Sequence, residues 1–122
     1  EILVKNKKKI YIVDNLSTGY RSLINKKAKF FKLNINNFKN VKKIIKENKI
    51  DSVIHLAANL IITEGEKYPK KYYRNNVVGT QNLLKACSSS TIRNFIFSST
   101  AAIYRDGQFK VSENQYNARL FE

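Results

Sequence analysis

Short runs of β-branched and aromatic residues recur along the chain, each followed by a polar, turn-forming patch. The first, Ile10–Val13, ends at Asp14 and Asn15 and runs into Ser17, Thr18 and Gly19. Further runs cover 29–35 (KFFKLNI), 51–58 (DSVIHLAA) and 93–100 (RNFIFSST). Between the second and third, NNFKNVKKIIKENK sets Phe38, Val41, Ile44 and Ile45 on one stripe at helical spacing, with Asn36 or Asn37 as N-cap. A loop with Gly65 and Pro69 follows the third run. A second helix is predicted over 71–87, with Tyr72, Val77 and Leu84 turned to the core. The opening EILV reads as a strand of its own, joined to Ile10 almost directly through KNKKK. Strands and helices alternating in units of about 30 residues are βαβ crossovers. The pattern therefore predicts an α/β fold with a parallel sheet of about four or five strands. The strand ending at Asp14 is expected beside the one ending at Asn34.

The strand ends carry the candidate chemistry, because ligands of open parallel sheets bind outside the carboxyl ends of the strands. Those ends are Asp14-Asn15, Asn34-Ile35, Leu56-Ala57-Ala58 and Ser98-Ser99-Thr100. Acid and amide groups there can hydrogen-bond a ribose or an adenine. The small Ala57-Ala58 pair allows a ligand close to the backbone, and the hydroxyls can polarise a reacting oxygen. An acid at the end of such a strand suits a dinucleotide ribose, yet it normally lies ~20 residues beyond a glycine-rich phosphate loop. No glycine precedes Asp14.

Composition narrows the picture. At 122 residues and 43% hydrophobic, the chain has enough apolar material for one core, which excludes a disordered tail. Twenty-three basic against nine acidic residues give a net charge of +14. The lysines are scattered over helix faces and loops, and no nucleic-acid-binding motif accompanies them, so a nucleic-acid partner is not expected. Cys87 is the single cysteine, which excludes a disulfide framework and suits a buried apolar position in a reduced, cytoplasmic protein. No run approaches ~18 apolar residues, so no membrane span is expected.

Taken together, VDNLSTG, VIHLAA, YYRNNVVGTQNLL and FIFSSTAAIY resemble the extended short-chain dehydrogenase/reductase family, the NAD-dependent epimerase/dehydratase group. Within it the sequence is most similar to enzymes of the UDP-glucose 4-epimerase type. The resemblance runs from about Ile10 to Tyr104. It implies a Rossmann-like, doubly wound parallel sheet and bound NAD, with residues 1–122 forming part of one NAD-binding domain. The implied substrate is a UDP-sugar, epimerised by transient hydride transfer to NAD, and a homodimer is left open for intact members. Carried over residue by residue, Asp14 and Asn15 match the adenosine-ribose pair, and Asn34 with Ile35 the adenine segment. Leu56, Ala57 and Ala58 match the cofactor-lining stretch, Asn76 the asparagine that buttresses the site, and Ser98 a further cofactor position. Thr100 matches the catalytic Ser/Thr and Tyr116 the catalytic tyrosine. His55 matches a frequent family residue and reads as structural.

Two departures from the family are visible. If EILV is the first strand, the glycine-rich loop and the helix after it are missing, and the sheet is incomplete. The family's Tyr-x-x-x-Lys pair is also broken, since Leu120 stands four residues after Tyr116, with Arg119 one position short. A C-terminal substrate domain is not expected. The implied epimerase chemistry is thus expected to be incomplete in this chain, the alternative being a non-catalytic Rossmann-like remnant that binds nucleotide weakly.

Overall fold

A computed structural model of the chain describes residues 2–99. In order these are α1 (Ile2–Lys5), β1 (Tyr11–Asp14), a 3₁₀ turn (Arg21–Leu23), β2 (Lys29–Lys32), α2 (Phe38–Glu47) and β3 (Ser52–His55). Then come α3 (Ile62–Lys67), α4 (Pro69–Tyr72), a π-helix (Tyr73–Gly79), α5 (Thr80–Ser88) and β4 (Asn94–Phe97). Four of the five predicted strand cores form. The 71–87 helix is built instead from three joined pieces, and part of the predicted loop after β3 is the helix α3.

EILV is not a strand. Ile2–Lys5 is a helical turn that ends in a Schellman motif. The Lys8 N–H donates to the Leu3 carbonyl at 3.1 Å and the Lys7 N–H to the Val4 carbonyl at 3.1 Å, with Lys7 at φ 54°. Three apolar residues are too few for periodicity to separate strand from helix. Here the hydrogen bonds close locally and no neighbouring strand is engaged. What stands ahead of β1 is a helical turn, so the reading of EILV as the first strand is corrected, while no glycine-rich loop precedes β1. Helix α2 stops in the same way. Ile50 N–H donates to the Ile45 carbonyl and Lys49 N–H to the Lys46 carbonyl, with Lys49 at φ 49°. At its other end Asn37 caps α2 by accepting from the Asn40 N–H at 3.2 Å.

The strands pair in parallel, as predicted, but as two separate ribbons. β1 pairs with β2, Asp14 opposite Lys32, and β3 with β4, His55 opposite Phe97. The expected continuous sheet is corrected on this point. In the doubly wound order 3-2-1-4-5-6, β2 and β1 take positions 3 and 2, while β3 and β4 take 4 and 5. Position 1, between β1 and β3, holds no strand among the described residues. Ile2–Val4, expected in the sheet, are helical.

The core lies between α2 and α5. Val41 and Ile45 pack against Leu83, Ala86 and Cys87, with Leu33, Phe38, Val53 and Phe95 closing round them. Burial pushes the Cys87 thiol pKa up, in keeping with an apolar role. The predicted core face of the second helix is wrong. Val77 and Leu84 are exposed, and Tyr72 is only half-buried. The buried ridge runs instead through Gly79, Leu83 and Ala86. Gly79 decides this, because a Cβ there would lie 2.7 Å from Ile35 Cδ1 and 2.9 Å from its Cγ1. Only the bare backbone lets the buried Ile35 side chain in.

Candidate functional site

β1 and β2 are short and parallel, so the segments that follow them emerge on one side, where they meet the segment after β3. Val13–Asn15, Ser17 and Thr18, Leu33–Ile35, Leu56–Asn59 and Asn75 line a cavity of about 100 Å³. Seven of the residues singled out from the sequence, Asp14, Asn15, Asn34, Ile35, Leu56, Ala57 and Ala58, come together there. Ser98 does not: it is exposed beyond β4, its N–H on the His55 carbonyl at 3.2 Å. Asn76 stands behind the cavity rather than in it. Thr100 and Tyr116, with Arg119 and Leu120, lie outside the described residues.

Asp14 is half engaged. Its Oδ1 accepts the Leu16 N–H at 2.6 Å, while Oδ2 has no hydrogen bond among the described residues. Asn15 Oδ1 accepts the Ser17 N–H at 2.8 Å. These two Asx turns fold the loop back so tightly that Leu16 sits at φ 57°, a region L-residues enter at a cost. The loop then closes on the acid, for a Cβ at Gly19 would stand 3.6 Å from Asp14 Oδ2. After β2, Asn34 Oδ1 is occupied by the Asn36 N–H at 2.8 Å and the Asn36 amide at 3.0 Å. Asn36 Oδ1 is buried without a partner among the described residues, at the edge of the site.

The loop after β3 is held from behind. Asn76 Oδ1 accepts the Asn59 N–H at 2.9 Å, and Asn76 Nδ2 donates to the Asn59 carbonyl at 3.0 Å. One turn on, the Thr80 hydroxyl donates to the Asn76 carbonyl at 2.6 Å and meets His55 Nε2 at 2.8 Å. Since that hydroxyl proton is already given to Asn76, His55 Nε2 must carry its own proton and donate. His55 is 4% exposed, and burial lowers its pKa, so the imidazole is neutral. The π-helix supplies the geometry, its wide turns bringing Asn75 to the cavity and Asn76 to the loop. Sequence reasoning missed Asn59, Asn75, Gly79 and Thr80 as site builders. The NNVVGT run was the available signal for the last three.

Outside the small cavity is an open basin of about 940 Å³ that shares Asn15, Asn34 and Asn59 with it. Lys39, Lys71 and Arg74 stand on its rim. Lys71 is tied to Glu64 at 2.6 Å, which lowers the Glu64 pKa, while Tyr72 donates to the same carboxylate at 2.9 Å. Lys39 and Arg74 carry no ion pair among the described residues. A carboxylate lining a small cavity, beside an open basin that carries cations on its rim, suits a ligand with ribose hydroxyls and a phosphate charge nearby.

Parallel strands, crossover helices and ligand groups at the strand ends define a Rossmann-like dinucleotide-binding fold. The NAD dependent epimerase/dehydratase family matches residues 1–119, and the chain belongs to that family. It is 41% identical over 102 residues to a UDP-glucose 4-epimerase of Lactobacillus helveticus, covering 84% of this chain and 31% of that protein. A crystal structure of a UDP-glucose 4-epimerase superposes with a TM-score of 0.85 at 31% identity, over 95% of this chain and 36% of the other. The UDP-glucose 4-epimerase of Brucella ovis in complex with NAD gives 0.83 at 33% identity, over 95% and 36%. The chain thus spans about a third of the length of these relatives. Among the described residues no helix is long and apolar enough to cross a membrane.

Proposed function

We propose that this chain carries the adenosine-ribose side of an NAD site, in a sugar-nucleotide epimerase of the UDP-glucose 4-epimerase type. The observation that carries the reading is Asp14: one carboxylate oxygen is fixed by its own turn, and the other is left unbonded in the cavity. A bidentate acceptor suits the paired hydroxyls of a ribose. The residues fit the cofactor on another count as well. Ala57 and Ala58 keep the wall low. Asp14 and Asn15 would hold the ribose, Asn34 and Ile35 would flank the adenine, and Leu56–Ala58 would lie along the cofactor. Asn76 keeps that last segment in place through Asn59.

When bound, NAD supplies the hydride acceptor through which a sugar hydroxyl carbon is inverted. The groups proposed to act on the UDP-sugar are Thr100, hydrogen-bonding the reacting oxygen, and Tyr116, taking its proton. Leu120 stands four residues after Tyr116, where the family's Tyr-x-x-x-Lys pair has its lysine. The alternative of a non-catalytic remnant finds no support in the family relationships.

The test is a titration of the 122-residue chain with NAD, followed by backbone amide shifts. The shifts are expected at Asp14–Gly19 and Leu56–Asn59 and should vanish in Asp14→Leu. Shifts elsewhere, or shifts untouched by Asp14→Leu, would overturn the assignment.

A further inference from the structure

The turn after β2 meets the cavity with its acceptors already spent. Asn34 Oδ1 receives two hydrogen bonds, from the Asn36 N–H at 2.8 Å and from Asn36 Nδ2 at 3.0 Å. A main-chain N–H can only donate, so this contact fixes which end of the Asn34 amide is oxygen. Both lone pairs of that oxygen are in use, and Nδ2 is left without a hydrogen bond among the described residues. The main chain of the turn is occupied as well. The Asn34 carbonyl accepts the Asn37 N–H at 2.9 Å. The Asn36 carbonyl accepts the Phe38 N–H at 3.0 Å and Asn82 Nδ2 at 3.4 Å. Asn36 buries its own Oδ1. What the exposed Asn34 side chain offers a ligand is therefore its amino group, a donor. Asn34 lines both the small cavity with Asp14 and the open basin, so its amide stands where one passes into the other.

We propose that Asn34 sets the base selectivity of the nucleotide site, by donating a hydrogen bond to an acceptor at position 6 of a purine. The inference rests on the nucleotide reading above, which puts the ribose on Asp14. Position 6 lies at the end of a purine remote from the sugar, the end directed from Asp14 to the mouth where Asn34 stands. Adenine carries an amino group there, and two amino groups meet with no acceptor between them. Hypoxanthine carries a carbonyl oxygen there, which the Asn34 amino group satisfies. One matched against one unmatched polar contact at an exposed position is worth about three- to tenfold in affinity. The ligand class the site prefers is thus a 6-oxopurine dinucleotide.

The experiment measures, by calorimetry, the affinities of the 122-residue chain and its Asn34→Asp variant for NAD and for nicotinamide hypoxanthine dinucleotide. Aspartate keeps the shape and the contact to the Asn36 N–H but replaces the amino group with an acceptor. Its negative charge acts on both ligands alike, so the ratio of the two affinities is the readout. The parent is expected to bind the hypoxanthine dinucleotide at least about threefold more tightly than NAD. Asn34→Asp is expected to turn that ratio round in favour of NAD. Should the variant not fold, the parent's own preference decides. A parent without that preference, or a ratio unmoved by the substitution, overturns the inference and leaves the Asp14 assignment standing. Failure of both dinucleotides to bind overturns the nucleotide reading, and this inference with it.

Discussion

Replacing Gly79 by alanine is the sharpest test of how the site is built. The new methyl would stand 2.7 Å from Ile35 Cδ1 and 2.9 Å from Cγ1, inside contact distance. Ile35 is 7% exposed, so its side chain has little space to retreat into. Overpacking of this kind costs about 1–3 kcal/mol, and alanine returns about 1 kcal/mol of helix propensity. The net expectation is a loss of about 1 kcal/mol, a fall of roughly 4 °C in Tm for a domain of this size. Ile35→Val deletes the nearest atom and alone should cost about 0.5–1.5 kcal/mol. In the double variant the two losses should not add, and the cycle should return a favourable coupling of about 1 kcal/mol. Urea unfolding followed by circular dichroism reads all three variants. If Gly79→Ala is more stable than the parent, or if the losses add within about 0.5 kcal/mol, the close approach does not govern this helix.

Further expectations follow from the same network. His55 is the single histidine, and its folded pKa lies below its ordinary value, so near and below about pH 6.5 the unfolded state binds the extra proton. Stability should therefore fall as pH drops through that window, and His55→Gln should flatten the profile there. A slope unchanged by the substitution would mean His55 is not held neutral. Asn76→Leu removes both side-chain bonds to Asn59 and should speed exchange of the Asn59 amide while β1 exchange stays unchanged; unaltered Asn59 exchange would count against the clamp. Leu83→Ala should cost about 2–5 kcal/mol, whereas Leu84→Lys should lie within about 0.5 kcal/mol of the parent. Equal losses by thermal melting would mean the buried face is misassigned. Lys49→Gly relieves a left-handed residue at the end of α2 and should add about 1 kcal/mol in urea unfolding; a loss would contradict the Schellman assignment.

The chain's own pattern was enough for what depends on near neighbours. β-Branched runs marked the strands, the Phe38–Ile45 stripe and Asn37 marked α2, and polar strand ends pointed to the residues that share the cavity. These are short-range signals: side-chain shape against backbone sterics, and a cap reaching three residues ahead. Tertiary structure decided the rest. Ile2–Val4 are three apolar residues with no period of their own, and hydrogen bonds from Lys7 and Lys8 back to Val4 and Leu3 made them part of a helical turn. Val77 and Leu84 were as apolar as Leu83, but the bare backbone of Gly79 against Ile35 chose which ridge is buried. Asn76 could be read as a site residue, though its task, a two-bond grip on Asn59, joins groups 17 residues apart. The open position between β1 and β3 left no mark on the sequence. It follows from which strands pair, β1 with β2 and β3 with β4, and a pairing is a property of two strands.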